Sequence, residues 1–365
     1  PEEQEQRLEE IKREDRERGF DLSRDLLFRL TLVQLGEAAY RLILSCHHIL
    51  MDGWCMGILL GDLMKLYRQA RSGQEWTVED GVPYSRYIRW LEEQDEEEAF
   101  QYWQEYLEGF QEVTGLPRGS KGSSGMAEEI FHWEEEWTER LTRLARKHQV
   151  TVNTVFQTLW GLLLMKMNDT EDVTFGAVVS GRPAEIPQVE QIVGLFINTV
   201  PVRIQLKEKE TFSELVKRVQ EVALRSERMH YVQLAEVQNR AGVRGELFDH
   251  IVAFENYPVN LEEMDDPEGL GFRFTGMEAF EKTNYGLSLQ VHHGRELVMK
   301  VLYDEGEYDR EMVGTLPGRL KRILEQVMDA PECPVGSVRL TDAEEERQLL
   351  HTFNDTRVSY PKDAT

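Results

Sequence analysis

An α/β fold follows from three features of the sequence. Apolar residues recur at helical spacing in several stretches, short β-branched and aromatic runs lie between them, and no unit repeats. At 365 residues the chain exceeds one ordinary core, so two lobes are expected.

Residues 2–17 are dominated by Glu, Arg and Lys, with apolar positions at Leu8 and Ile11, the pattern of an exposed helix. Phe20, Asp21 and Leu22 read as a turn before a strand at 27–33, and a second strand covers 40–46. Over 55–70, Ile58, Leu59, Leu63, Leu66 and Tyr67 return with helical period, and Ser72-Gly73 ends the helix. Helical spacing resumes at 84–91, and an acidic run, 92–98, leads into the aromatic-rich segment 100–109. The Gly- and Ser-rich stretch 115–125 lacks apolar periodicity and predicts a mobile connector. The first lobe is accordingly placed at 1–114, the connector at 115–127 and the second lobe at 128–340. Helices are expected in that lobe at 138–148, 154–167, 212–230 and 310–328. Strands are expected at 173–179, 200–204, 250–254, 287–292 and 297–303.

Composition narrows the partners. With 42 Lys and Arg against 67 Asp and Glu, the net charge is −25, which repels nucleic-acid phosphate and anionic lipid. Three cysteines, Cys46, Cys55 and Cys333, form no CxxC pair, as expected of a reduced cytoplasmic protein. No apolar run reaches the roughly 18 residues of a spanning helix, and the opening Pro1-Glu2-Glu3 is not a basic and then apolar leader. No nucleic acid and no membrane are expected as partners. Neither a Gly-x-Ser-x-Gly elbow, a P-loop nor a dinucleotide fingerprint occurs, which sets aside serine hydrolase, NTPase and dehydrogenase chemistry.

The chemistry concentrates at residues 47–54, His-His-Ile-Leu-Met-Asp-Gly-Trp, between the second strand and the helix that follows. Neighbours on a strand point to opposite faces, so one of His47 and His48 enters a cleft while the other packs. An imidazole titrates near neutral pH and is suited to acid–base or positioning work in such a loop. A histidine pair beside apolar residues is, taken alone, more often structural. His48 and Asp52 are spaced to chelate a metal from one helix face, but Gly53 and the preceding strand place them in a loop with no third ligand nearby in sequence, so no metal is expected. Asp52 either orients an imidazole or holds the loop through a buried ion pair. Gly53 is expected to supply a backbone conformation or a close approach that a side chain would block. The second pair, His292-His293-Gly294, lacks a following Asp-Gly and reads as a surface hairpin.

HHILMDGW resembles the HHxxxDG signature of the condensation domains of nonribosomal peptide synthetases, in the chloramphenicol acetyltransferase-like superfamily. Residues 192–203, IVGLFINTVPVR, are similar to that family's GxFxNT segment, and 179–183, VSGRP, to its loop between the lobes. The segment 84–90, YSRYIRW, is similar to a further motif but carries Arg86 where an acid usually stands, so Tyr84, Tyr87 and Trp90 are read as core packing. Residues 231–238, 247–249 and 254–258 follow in the family's order, while 240–246 departs from it.

The resemblance covers nearly all of the chain. It implies a two-lobed chloramphenicol acetyltransferase-like architecture with an incomplete N-terminal lobe, because the family's two early motifs precede the first correspondence near Phe20. His48 becomes the catalytic residue, supported by His47, Asp52, Gly53 and Trp54, with the arginine partner of Asp52 coming from a motif upstream of Pro1. Gly194, Phe196, Asn198 and Thr199 become tunnel-lining, and Ser180, Gly181 and Arg182 form the inter-lobe loop. The activity implied is amide formation between aminoacyl or peptidyl thioesters in antibiotic biosynthesis. The L-to-L subclass is indicated by HHILMDGW and FENYP. The chain would hold no cofactor of its own, the acyl groups riding on 4'-phosphopantetheine arms of donor and acceptor peptidyl carrier proteins. Residues 341–365 resemble the linker towards an adenylation domain of a larger synthetase. An ester-forming carrier-dependent acyltransferase and a non-catalytic platform recruiting a partner protein are the alternatives.

Overall fold

The structure, a computed structural model, describes residues 2–75, 77, 80–119, 125–243, 245–255, 270–281 and 283–355. Two compact units interleave along the chain. The first comprises Pro1–Gln94, Ser180–Ile197 and Tyr257–Ala279, and the second Asp95–Val179, Asn198–Asn256 and Phe280–Thr365. This division differs from a cut at 115–127, since residues 95–114 belong to the second unit and 180–197 to the first.

In the first unit α1 (Glu2–Arg18) is followed by β1 (Phe28–Gln34), β2 (Tyr40–Cys46), α2 (Trp54–Arg71) and α3 (Ser85–Glu92). The strands pair antiparallel, with Leu30 opposite Leu44 and Leu32 opposite Leu42. The pleat therefore gathers these four leucines on one face and Arg29, Thr31, Ile43 and Ser45 on the other. The second face is tied to α1, because Asp15 accepts from Arg29 Nε at 2.9 Å and also from the Ser45 hydroxyl. Burial pulls the Asp15 carboxyl upward, but these two hydrogen bonds and the charges of Arg29 and Arg18 together outweigh it and hold the group below its usual range. Residues 270–279 reach both long helices: Lys12 of α1 pairs with Glu278, and the Phe272 ring meets Tyr67 of α2 edge-on.

The second unit is built on a six-stranded sheet in the order β3-β8-β7-β6-β4-β5. Its strands are β3 (Met126–Trp133), β4 (Asp172–Val179), β5 (Asn198–Gln205), β6 (His250–Glu255), β7 (Leu287–His293) and β8 (Leu297–Asp304). β6 runs parallel to both its neighbours, and the remaining pairs are antiparallel. Helices α4 (Glu96–Tyr106), α5 (Glu135–His148), α6 (Val152–Asn168), α7 (Phe212–Ser226), α8 (Leu234–Arg240), α9 (Arg310–Asp329) and α10 (Ala343–Arg347) complete the unit.

The core sits around α6, which is buried continuously from Thr154 to Met165. Thr151 caps its first turn by accepting from the Thr154 amide. α7 opens with a reciprocal capping box between Thr211 and Glu214. The acidic run ends α3 at Glu92 and opens α4: Asp95 accepts from the amides of Glu97 and Glu98, and three glutamates in the first turn complement the helix dipole.

β3 is the one strand among the described residues that the sequence pattern misses. Glu128 and Glu129 lower its β signal, yet they pair with Lys300 and Arg310, and the edge position accommodates charge. The described part of the Gly-rich stretch is held to the second unit, with Asn168 donating to Gly115 O at 2.9 Å and the Gly119 amide to Glu307 O at 2.9 Å. Residues 120–124, also assigned to the connector, lie outside the described residues. The second histidine pair forms the end of the β7–β8 hairpin, as its pattern predicts.

Candidate active site

All of the 47–54 motif and the 180–197 loop belong to the first unit. β2 delivers the chain to a tight turn at 47–50, and α2 begins at Trp54. The two histidines lie just beyond the last residue of β2, so the turn rather than the pleat separates them.

His47 is half-buried. Its Nδ1 accepts from the Ile49 amide at 3.1 Å, which leaves the proton of a neutral ring on Nε2. The edge of its ring meets Phe20 at 6.3 Å between centroids, and the Arg29 guanidinium lies 4.0 Å over that same Phe20 ring. A chain of contacts thus runs from Asp15 through Arg29 and Phe20 to His47. His48 is exposed at the tip of the turn and has no hydrogen-bond partner among the described residues.

Asp52 is the buried anchor of the loop. Its side chain is 0% exposed and that of Arg182 is 5% exposed, and Nη2 reaches Oδ1 at 3.2 Å. The partner arginine therefore comes from this chain's own 180–197 loop, correcting the expectation of a partner upstream of Pro1. The second carboxylate oxygen accepts from the Phe196 amide at 3.0 Å. Arg182 Nη1 donates to Val189 O at 2.7 Å and to Ile192 O at 2.9 Å, so one guanidinium organises the whole loop. Its Cζ lies 4.1 Å from the Phe196 centroid and 5.4 Å from the Trp54 centroid. Trp54 adds a bond from Nε1 to Glu190 O at 2.9 Å.

Two glycines are required by geometry. Gly181 has φ +59°, and a Cβ there would lie 1.8 Å from Phe196 O. On Gly194 a Cβ would lie 2.0 Å from a carbon of the Tyr84 ring. Gly53, by contrast, has φ −59° and ψ −29°, an ordinary helical conformation, so the special backbone conformation expected of it is absent.

Gly194 and Phe196, read from the sequence as tunnel-lining, are both buried here. The Phe196 ring packs with Tyr84 and Tyr87, while Tyr84 donates to Leu195 O at 2.5 Å. Burial pushes the Tyr87 hydroxyl up to about 12, so it stays protonated at physiological pH. Asn198 and Thr199 begin β5 in the second unit. The Asn198 amide nitrogen donates to His230 O at 2.8 Å and Val232 O at 2.7 Å, and its oxygen accepts from the Thr199 amide. Ser180 is exposed at the start of the loop.

Sequence reading overlooked Cys55. It is fully buried, with Sγ 3.3 Å from Asp52 Oδ1 and 3.2 Å from Gly194 O. The signal was present in helical geometry, since Cys55 stands in the first turn of α2, three residues after Asp52. Among the described residues, no group of three or more His, Cys, Asp or Glu gathers as a metal site, and no helix is long and apolar enough to cross a membrane.

The chain is thus a mixed α/β protein whose histidine-bearing turn is locked by a buried Asp–Arg pair, and the comparisons place it in a family. The profile of the Condensation domain family matches residues 1–350, and the chain belongs to that family. It is similar to bacitracin synthase 3 of Bacillus licheniformis, 40% identical over 98% of this chain and 6% of that protein. Gramicidin S synthase 2 of Brevibacillus brevis is 38% identical over 99% of the chain and 8% of its own length. The chain thus spans less than a tenth of either relative. Among solved structures, the X-domain from teicoplanin biosynthesis matches with a TM-score of 0.75 at 21% identity, covering 88% of this chain and 77% of that one, which supports the fold.

Proposed function

We propose that this chain forms peptide bonds in nonribosomal peptide synthesis. The α-amine of an aminoacyl thioester on an acceptor carrier attacks the thioester carbonyl of an aminoacyl or peptidyl group on a donor carrier. A C–N bond forms, the C–S bond breaks, the amine loses a proton and the departing thiolate gains one. Both acyl groups arrive on 4'-phosphopantetheine arms that belong to the carriers and enter as part of the substrates. The context is a larger cytoplasmic synthetase with an adenylation domain beyond residues 341–365, of which 356–365 lie outside the described residues.

One observation carries this reading: His48, exposed and without a hydrogen-bond partner among the described residues, stands on a turn whose base is fixed by the buried Asp52–Arg182 pair. A free imidazole on a rigid support is what proton transfer from an attacking amine, or stabilisation of the tetrahedral species, requires. Holding amine and carbonyl together supplies the larger share of the acceleration, with effective molarities of about 10⁵ M or more for well-oriented pairs. The wording of HHILMDGW supports the L-to-L subclass. FENYP supports it in sequence, although residues 256–258 lie outside the described residues.

The test is intact-protein mass spectrometry of an acceptor carrier after mixing with a loaded donor carrier, comparing the wild-type chain with His48→Ala. A dipeptidyl mass that forms with the wild type and is lost in the variant supports condensation centred on His48. Carrier binding that is indifferent to His48 and yields no product from either form would favour a recruiting platform. Product on a soluble hydroxyl acceptor without an acceptor carrier would favour ester formation.

A further inference from the structure

We propose that Cys55 is a positioning residue of the His48 turn, its thiol acting as a hydrogen-bonded clasp between Asp52 and the backbone of Gly194. The inference rests on the reading of His48 as the reacting imidazole. Cys55 Sγ lies at the meeting point of three parts of the site. It approaches Asp52 Oδ1 at 3.3 Å and Gly194 O at 3.2 Å as a donor, and receives the Gly194 amide at 3.4 Å and Arg182 Nη2 at 3.5 Å as an acceptor. The single S–H proton has two acceptors within reach, one on the motif loop and one on the 180–197 loop. Both donors on the other side come from the 180–197 loop.

The clasp requires a protonated thiol, and the surroundings keep it so. Burial pushes the Cys55 thiol up, and the neighbouring Asp52 charge acts in the same direction. A thiolate there would face a carboxylate and a carbonyl oxygen with one guanidinium shared between them. The residue is therefore no nucleophile, and its full burial removes it from solvent reagents. What it does is fix Oδ1 of Asp52, the atom that also receives Arg182. Asp52 Oδ2 in turn holds the Phe196 amide. Loosening the thiol would let the motif loop and the 180–197 loop slide against each other, and His48 stands only four residues before Asp52 in sequence.

Serine and alanine at this position separate hydrogen bonding from packing, because both are smaller than cysteine and only serine donates and accepts. Amide hydrogen exchange at Gly194 and Phe196 is measured together with kcat and KM in the carrier condensation assay, well below the melting temperature of each variant. Cys55→Ala is expected to speed exchange of both amides about tenfold and lower kcat about tenfold, with KM for the acceptor carrier changed by less than about twofold. Cys55→Ser is expected to restore both readouts to within about threefold of wild type. Equal losses in the two variants would overturn the clasp in favour of simple packing, and so would wild-type exchange rates in Cys55→Ala. Absence of product with the wild-type chain would refute the condensation reading itself, while the exchange ratio between the two variants still upholds or overturns the clasp.

Discussion

Deleting either member of the Asp52–Arg182 pair should cost far more than deleting a surface ion pair, and the structure sets the size. Asp52→Ala would leave the Arg182 guanidinium, 5% exposed, with two carbonyl partners and no counter-charge. Arg182→Leu would leave a carboxylate, 0% exposed, facing the Phe196 amide and a thiol. An uncompensated buried charge costs about 3–5 kcal/mol, so each single substitution should fall in that range. The double variant buries no stranded charge. It loses the hydrogen bonds to Val189 O, Ile192 O and the Phe196 amide, about 1 kcal/mol each, together with the two weaker contacts to the Cys55 thiol, and so should cost far less than the sum of the singles. A double-mutant cycle by urea unfolding measures the difference, with a coupling of about 2 kcal/mol or more expected. Because the chain has two compact units, the transition must be fitted separately for each if they unfold apart. Additive losses, or single losses below about 1 kcal/mol, would refute the argument that the pair is buried and mutually dependent.

Three further outcomes follow from named geometry. Gly181→Ala should destabilise by about 3 kcal/mol or more, since it combines a left-handed φ with a 1.8 Å clash, whereas Gly36→Ala, with nothing within 4 Å, should be nearly neutral in the same melt. Tyr84→Phe should cost about 1 kcal/mol in urea unfolding by leaving Leu195 O without its donor. Glu255 has its carboxyl pushed up to about 7, first by burial and then by Glu281, with Lys300 opposing, and His292 lies 3.4 Å away with its own ring held down by burial. At neutral pH the imidazole is accordingly mostly uncharged and the carboxyl about half ionised, so this contact is less than a full ion pair. A raised carboxyl favours folding fully below the unfolded value of 4.5 and loses that contribution as pH rises through about 7, a change of about 3 kcal/mol at most. Glu255→Gln should flatten the fall in stability between pH 5 and pH 8, and an unchanged slope would remove Glu255 as its source.

Legibility in the sequence followed the scale of the interaction. Helical period located α2, α5, α6, α7 and α9 to within a few residues, because each buries one stripe or, for α6, its whole circumference. β2 was read to the residue, from an apolar run ended by the histidine pair. β3 was not, since a lysine of β8 and the arginine that opens α9 make two glutamates tolerable there, and those partners are far away in sequence. The division into two compact units departs from the cut at 115–127 for a related reason. Gly and Ser in 115–125 mark freedom of the isolated chain, but the Gly115 carbonyl and Gly119 amide find partners in the second unit. At the site, the motif residues were visible as letters, whereas their pairing was not. Nothing local ties Asp52 to an arginine 130 residues later, and only the fold shows that Arg182 is the one.

That pairing explains how the site keeps its shape in a unit with little apolar cover on its sheet. Leu30, Leu32 and Leu42 of β1 and β2 are 58%, 67% and 46% exposed, so this face contributes little hydrophobic stabilisation to the turn that follows β2. The turn is held instead from its other side, by Asp52 and Cys55 against the 180–197 loop and by His47 against Phe20. Polar clasps of this kind fix direction more sharply than apolar contacts, because a hydrogen bond weakens steeply with angle while hydrophobic burial is non-directional. A loop positioned by direction leaves its tip exposed without leaving it free to wander. His48 sits at that tip, and the cost of holding it falls on residues that themselves need never touch a substrate.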